Sequence, residues 1–473
     1  MISFSSLDII VILIFFLVLL SIGFISSRKT KNNSEDYLLS NRKMGLFLFV
    51  LVNVSTWYGG IIGVGEFTYR YGLVSWFTQG FPYYFFAFLF AIFFAKKIRE
   101  ASLFTIPDKL GEVYGKKVGL ISALVVFILV SPAPYLLMTA NLISIVFEIN
   151  IIISLIIAFF LSASYLFHGG FRSNIYADVF QFFVMFAGFI VILVVSVFSF
   201  GGFDFLQTNL PTTHLSVTGG TSPAFIIVWF LIALWTFADP GFHQRSYAAK
   251  SGDIAKKGIL ISIVFFALFD FLTTSTGLYA KAVLPNLPQP MMAYPLFAEK
   301  VLGSGLKGIF YAAMFATIIS TLNSFLFLSA TTIGRDIIYK IKKDSKDEII
   351  KSYTIIGIIL SGVISIVIAY LIPSVVKIWY TIGSLFIPGI ILPVISAYYP
   401  KLRISPKLII TEIVSAISLS MIWFEFRKTL TGLLSEIEPM IIGLLVAIII
   451  HFIGLTFYRN SQKKRPDNFG TLK

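Results

Sequence analysis

Asn53-Val54-Ser55-Thr56-Trp57-Tyr58-Gly59-Gly60, followed by Gly63 and Gly65, lies inside an apolar run at 46–67 that is long enough to cross a bilayer. Glycines at that density weaken a helix, each by about 1 kcal/mol relative to alanine. The polar side chains among them can take over backbone groups that an unwinding helix releases. A second abnormal run, at 225–238, has 14 residues before Asp239-Pro240-Gly241, where proline ends or kinks a helix. A proline kink or a glycine packing face explains either one alone. Counted along the chain they are the second and seventh apolar runs. Five apart, they enter from opposite sides, and interrupted spans in corresponding places of two inverted halves point to a central transport site.

The remaining runs follow from the same reading. They are 9–25, 73–94, 118–147, 151–167, 175–200, 259–279, 309–333, 355–372, 378–399, 408–426 and 440–457. The chain is expected to be all-α, one membrane domain at 1–473 with about 13 transmembrane helices. Of its 473 residues 57% are hydrophobic and 13% charged, about half the charged share of a soluble domain. Zero cysteines exclude disulfides, thiolate metal sites and thiol catalysis, and four histidines leave little for a histidine-built metal site. No His-Glu-x-x-His and no matched acid–base constellation is present, so an enzyme is not expected.

The net charge of +14 could suggest nucleic acid only if the basic residues formed a soluble patch. They follow the membrane instead: 30 of the 37 Lys and Arg fall on alternate connections and the tail. That excess identifies the cytoplasm, placing the N-terminus outside and the tail, with Lys463, Lys464 and Arg465, inside the plasma (inner) membrane. No Lys or Arg precedes the first run and no small-residue cleavage site follows it, so a retained helix is expected there. The connection at 201–224 reads as an external surface loop. The segment 294–301 reads as a short surface helix, and 340–351 as a charged, solvated loop.

The ninth run carries Thr317, Ser320, Thr321 and Ser324 at spacings that share one helical face, with Asn323 beside them. Oxygen-only ligands suit a hard cation, and would serve none if they faced lipid. Small hydroxyl residues also let helices pack closely and bond back to their own carbonyls. Asp178, inside the sixth run, is an ionisable group at membrane depth and is expected to be either functional or paired, with Arg172 nearby.

Several motifs share an order and spacing. Thr56-Trp57-Tyr58-Gly59-Gly60 precedes Tyr69-Arg70-Tyr71-Gly72-Leu73, then Thr105-Ile106-Pro107-Asp108 and Tyr114-Gly115. Gly169-Gly170 and Ala177-Asp178-Val179-Phe180-Gln181 follow, then Asp239 with Gln244-Arg245 and Ala248-Ala249-Lys250-Ser251. Last comes Ser320-Thr321-Leu322-Asn323-Ser324 with Asp336-Ile337. Over nearly the whole chain this resembles the sodium:solute symporters, which include sodium/glucose, sodium/proline, pantothenate, choline and sialic acid carriers.

The resemblance implies a ten-helix core of two inverted five-helix repeats, at 46–200 and 225–399. One extra helix at 9–25 precedes the core and two, at 408–426 and 440–457, follow. It implies a sodium ion held by the carbonyls of Asn53, Thr56 and Thr317 and the hydroxyls of Ser320 and Thr321. Asp178, with Ser320, Asn323 and Ser324, matches a second sodium site or exit route, with asparagine in place of one serine. The implied function is sodium-coupled symport importing a small organic solute by alternating access. An uncoupled channel or transporter-like sensor of the same fold is the alternative, and no obligate protein partner is implied.

The solute pocket is expected at Trp57, Tyr58, Gly60, Trp235 and Asp270. Asp270, midway along the eighth run, needs a partner there: a proton, a hydroxyl cluster, or a positive group on the solute. Trp57-Tyr58-Gly59-Gly60 is similar to the choline carriers' Thr-Trp-Val-Gly-Gly, whose ring box suits a quaternary ammonium. Trp76 and Trp379 read as interface or packing residues.

Overall fold

Several apolar runs reach their helices through a local signal at the start. Ser5 caps the first helix, Ser6–Ser27, by accepting the Asp8 N–H, while Asp8 accepts back from Ser5. Ser222, Ser251, Ser374 and Ser405 cap later helices in the same way. The computed structural model describes residues 2–31, 33–342, 346–431, 434 and 436–463. Lys464 and Arg465 of the basic tail, and 343–345 of the charged loop, lie outside the described residues. Among the described residues, eleven helices are long and apolar enough to cross a membrane.

The second run is not one of them, because it is split. Its halves are Leu46–Ser55 and Ile61–Tyr71, with Thr56 to Gly60 between them. The fifth and sixth runs lie in one helical stretch, Ile151–Phe200. Its 50 residues would extend about 75 Å, more than twice the ~30 Å hydrocarbon core. It breaks at Gly170, where φ is 52° and a Cβ would stand 2.4 Å from the Tyr37 carbonyl oxygen. Only glycine meets both demands. The fourth run is likewise two helices, Lys116–Leu129 and Ala133–Phe147, parted before Pro134.

The seventh run does not stop at 238. Helix Pro223–Ile232 tightens into a 3₁₀ segment, Ala233–Ala238, and then Asp239 takes an extended conformation. A second helix, Pro240–Ala248, begins at once. Proline fits its first turn, where an N–H would be unsatisfied anyway, and Asp239 caps it through a 2.7 Å bond from the Phe242 N–H to Oδ1. Proline-glycine is thus a restart and not an end.

The ninth span, Leu306–Thr331, is the axis of the bundle: 89% of its apolar window is buried, against 33% for the first span. Its hydroxyl face therefore meets protein. The first span is clamped to its start by Asp8, whose Oδ1 accepts the N–H groups of Gly305 and Gly308 at 2.8 Å. Ala293–Val301 forms the expected short helix. The segment at 201–224 is more ordered than a plain loop, with helix Phe203–Asn209 and a turn at Thr212–Leu215. His214 is buried, and its carbonyl accepts the Leu73 N–H at 2.8 Å. The segment thereby docks onto the corner after the second span.

Candidate functional site

The break in the second span faces the hydroxyl column of the ninth. The Thr321 hydroxyl donates to the Thr56 carbonyl at 3.0 Å and lies 3.5 Å from the Thr317 carbonyl. Three of the five expected ion ligands thus converge on one point. Gly59 permits the approach, since a Cβ there would stand 2.3 Å from the Thr321 Cβ. Ser320 is fully buried and its Oγ has no hydrogen-bond partner among the described residues. Asn53, at the end of helix Leu46–Ser55, is also buried, and neither its side-chain oxygen nor its nitrogen is partnered among the described residues. Thr317 bonds back to the Ala313 carbonyl at 2.7 Å, leaving its own carbonyl to the shared point.

One turn further along the ninth span a second polar group gathers. Asn174 Nδ2 donates to Asp178 Oδ2 at 3.2 Å and to Ser324 Oγ at 2.9 Å. Asn323 Nδ2 donates to the Tyr165 hydroxyl. Asp178, Asn174, Ser324 and Asn323 are all buried, while Asp178 Oδ1, Asn174 Oδ1 and Asn323 Oδ1 have no hydrogen-bond partner among the described residues. Ser320 interacts with Asp178 electrostatically without a well-formed hydrogen bond. Arg172 is not the counter-ion of Asp178; it pairs with Asp36. Buried acceptors without donors are costly, so this donor-poor set fits a hard cation.

Three members of this group were not among the expected site residues. Asn174 sits one helical turn before Asp178, a spacing the sequence displayed. Tyr165 reaches the group only because the helix breaks at Gly170. Arg245, on helix Pro240–Ala248, is buried, and its Nη2 donates to Thr56 Oγ1 and lies 3.4 Å from Ser324 Oγ.

Beside the break the neighbouring side chains are aromatic. Trp57 packs against Tyr83, Phe242 and Phe266 with ring centroids 5.1–5.4 Å apart. Trp379 does more than fill an interface: its ring closes over Gly60, where a Cβ would approach to 2.5 Å, and it meets Tyr135 at 5.7 Å. Trp57, Gly60, Tyr83, Tyr135, Trp235 and Trp379 are all half-buried. Tyr58 is buried, its hydroxyl spent on the Phe266 carbonyl at 2.7 Å. Asp270 is buried and accepts from the Tyr84 hydroxyl, which in turn accepts the Trp76 indole N–H at 3.1 Å. The Tyr84 phenol, from the third span, is therefore a partner within the protein, and the Tyr58 phenol lies beside it as well.

A family model described as the sodium:solute symporter family matches residues 37–402. The sodium/pantothenate symporter of Escherichia coli (strain K12) is 26% identical over 365 residues, covering 72% of this chain and 74% of its own. Sodium/proline symporter 2 of Staphylococcus saprophyticus is 23% identical over 495 residues, covering 98% and 94%. Among solved structures, a Na+-coupled sialic acid symporter in a substrate-bound outward-open state superposes with a TM-score of 0.83 at 17% identity, covering 96% and 98%. A nucleobase-cation-symport-1 family transporter in a closed conformation reaches 0.62 at 11%, covering 90% and 95%. At such identities the two structures speak for the fold.

Proposed function

The chain belongs to the sodium:solute symporter family, and on that premise we propose that it imports a small organic solute by sodium symport, with the break of the second span as the ion's seat. The observation that carries this reading is the Thr321 hydroxyl, set between the carbonyls of Thr56 and Thr317. Sodium takes those oxygens with Ser320 Oγ and the Asn53 carbonyl. Asp178, Asn323 and Ser324 form a second seat or the route inward. The core is read as inverted repeats at 46–200 and 225–399, within thirteen spans, in the plasma membrane with the N-terminus outside.

The mechanism follows from what these residues hold. An ion bridging the break to the ninth span fixes Trp57 and Gly60, which wall the chamber, so ion and solute raise each other's affinity by the same factor. The gradient contributes about 2.3 kcal/mol per charge per 100 mV, plus the concentration term. Rocking of one helix group against the other alternates access, and single hydroxyls and carbonyls hold the ion loosely enough to release it. Relatives named for pantothenate, proline and sialic acid differ in charge and size. The solute is therefore set by this chain's own wall of Trp57, Tyr83, Tyr135, Trp235 and Trp379. The uncoupled channel or sensor draws no support from the relatives.

The test is sodium activation of uptake in vesicles. Ser320→Ala and Thr321→Ala each remove one oxygen from a small ligand set. Each should raise the sodium concentration for half-maximal uptake by roughly tenfold or more, with expression little changed. Unaltered sodium dependence in both removes the ion from this seat.

A further inference from the structure

Arg245 is a cation placed among oxygens that suit a different cation. It is 4% exposed, its Nη2 donates to Thr56 Oγ1 and lies 3.4 Å from Ser324 Oγ, and its Nε has no partner among the described residues. Two acids feel its charge, Asp178 on the sixth span and Asp239 at the break of the seventh. Among the described residues neither comes within the 4.0 Å of an ion pair. A buried guanidinium between two acids, bonded fully to neither, has two places to go.

One of them is close at hand. Between Arg245 and Asp239 lies Gly241, and a Cβ there would stand 2.6 Å from Arg245 Nη1 and 2.9 Å from Asp239 Oδ1. Toward the other acid, Asp178 Oδ1, Ser320 Oγ and Asn323 Oδ1 stand buried without partners beside Ser324. An ion bound there would sit a few ångströms from the guanidinium, and like charges so close in a low-dielectric interior repel strongly. Occupation by one disfavours the other.

We propose that Arg245 is a positioning residue, a resident cation that vacates Thr56 and Ser324 when sodium binds and swings past Gly241 to Asp239. The proposal rests on the ion-site reading above. Asp239 caps the helix at the break and interacts electrostatically with Tyr83, Tyr135 and Trp235 of the chamber wall. Ion arrival is thereby converted into a new charge arrangement at the solute chamber. Removal of the ion returns the guanidinium to Thr56, and linkage requires that the effect run both ways.

The experiment titrates purified full-length protein with sodium chloride, balanced by N-methyl-D-glucamine chloride. Affinity is read from the sodium-dependent rise in melting temperature. Transmission to the chamber is read from tryptophan fluorescence, with Trp57→Phe and Trp235→Phe as controls. Arg245→Gln removes the competitor, so sodium should bind about tenfold tighter while its fluorescence signal disappears. Asp239→Asn keeps the helix cap but removes the charge the guanidinium would move to, so it should weaken sodium severalfold, the opposite sign.

Weaker or unchanged sodium binding in Arg245→Gln, or unchanged or tighter binding in Asp239→Asn, overturns the proposal. If Ser320→Ala weakens sodium in the same assay, the ion-site reading survives that loss. If Ser320→Ala and Thr321→Ala bind sodium like the wild type, the ion-site reading fails and the proposal falls with it.

Discussion

Gly59 shows how much one hydrogen atom can decide. The second and ninth spans meet where a Cβ on Gly59 would overlap the Thr321 Cβ at 2.3 Å, and the bond from Thr321 to the Thr56 carbonyl exists only because they meet so closely. Overpacking of this kind costs about 1–3 kcal/mol. Gly59→Ala should therefore lower the melting temperature by several degrees and remove the stabilisation by sodium. Gly45→Ala, whose added carbon meets nothing within 4 Å, should change neither. Equal effects of the two in a melting assay would show that the close approach does not matter. The same scale explains what the sequence left hidden. Asp270 was readable as a buried acid in need of a partner, but Tyr84 lies 186 residues away and only folding brings it there.

Among elements, the third-to-fourth connection and the end of the ninth span are tied by charge. Asp108, on helix Ile106–Tyr114, accepts from Lys340 Nζ at 2.6 Å and pairs with Arg335. The Thr105 hydroxyl donates to Asp336 Oδ1 at 2.9 Å, and the Arg335 guanidinium lies 4.2 Å from the centre of the Phe104 ring. Burial pushes the Asp108 carboxyl up, yet Arg335 and Lys340 outweigh it and hold the group below the usual carboxylate range. A depressed carboxyl contributes stability that is complete above the ordinary aspartate value of 3.8 and is lost as pH falls through the depressed one. Asp108→Asn should thus lower the melting temperature by several degrees at pH 7, where breaking a buried pair costs up to about 3–5 kcal/mol. The gap to wild type should narrow in acid below that value. A gap that stays constant far below 3.8 would mean the charge is not what joins these elements. The motif Thr105-Ile106-Pro107-Asp108 was visible along the chain; its partners at 335–340 were not.

For the whole molecule, orientation is the property to check, and the chain is suited to the check because it has zero cysteines. Thr218, in the segment docked on the second span, and Lys29, after the first, are both exposed. In intact cells a membrane-impermeant maleimide should label Thr218→Cys, and should reach Lys29→Cys only after permeabilisation. The reverse pattern would invert the proposed topology. Membrane character, the all-helical class and the two interruptions were legible in the sequence, because a bilayer forces apolar length and internally bonded backbone on any chain that crosses it. The hydroxyl column was legible for a similar reason, since helical periodicity alone puts Thr317, Ser320, Thr321 and Ser324 on one face. Gly170, Asp239 and Pro240 were visible too, but whether each ended, turned or restarted a helix depended on caps and contacts across the bundle. What only the tertiary structure decided is which oxygens share a point and which charge stands among them. Asp36 takes Arg172, leaving Asp178 to Asn174, and Arg245 reaches Thr56 across 189 residues. Periodicity orients a helix toward its neighbours, but the identity of the side chain met there is set by packing between segments far apart in the chain.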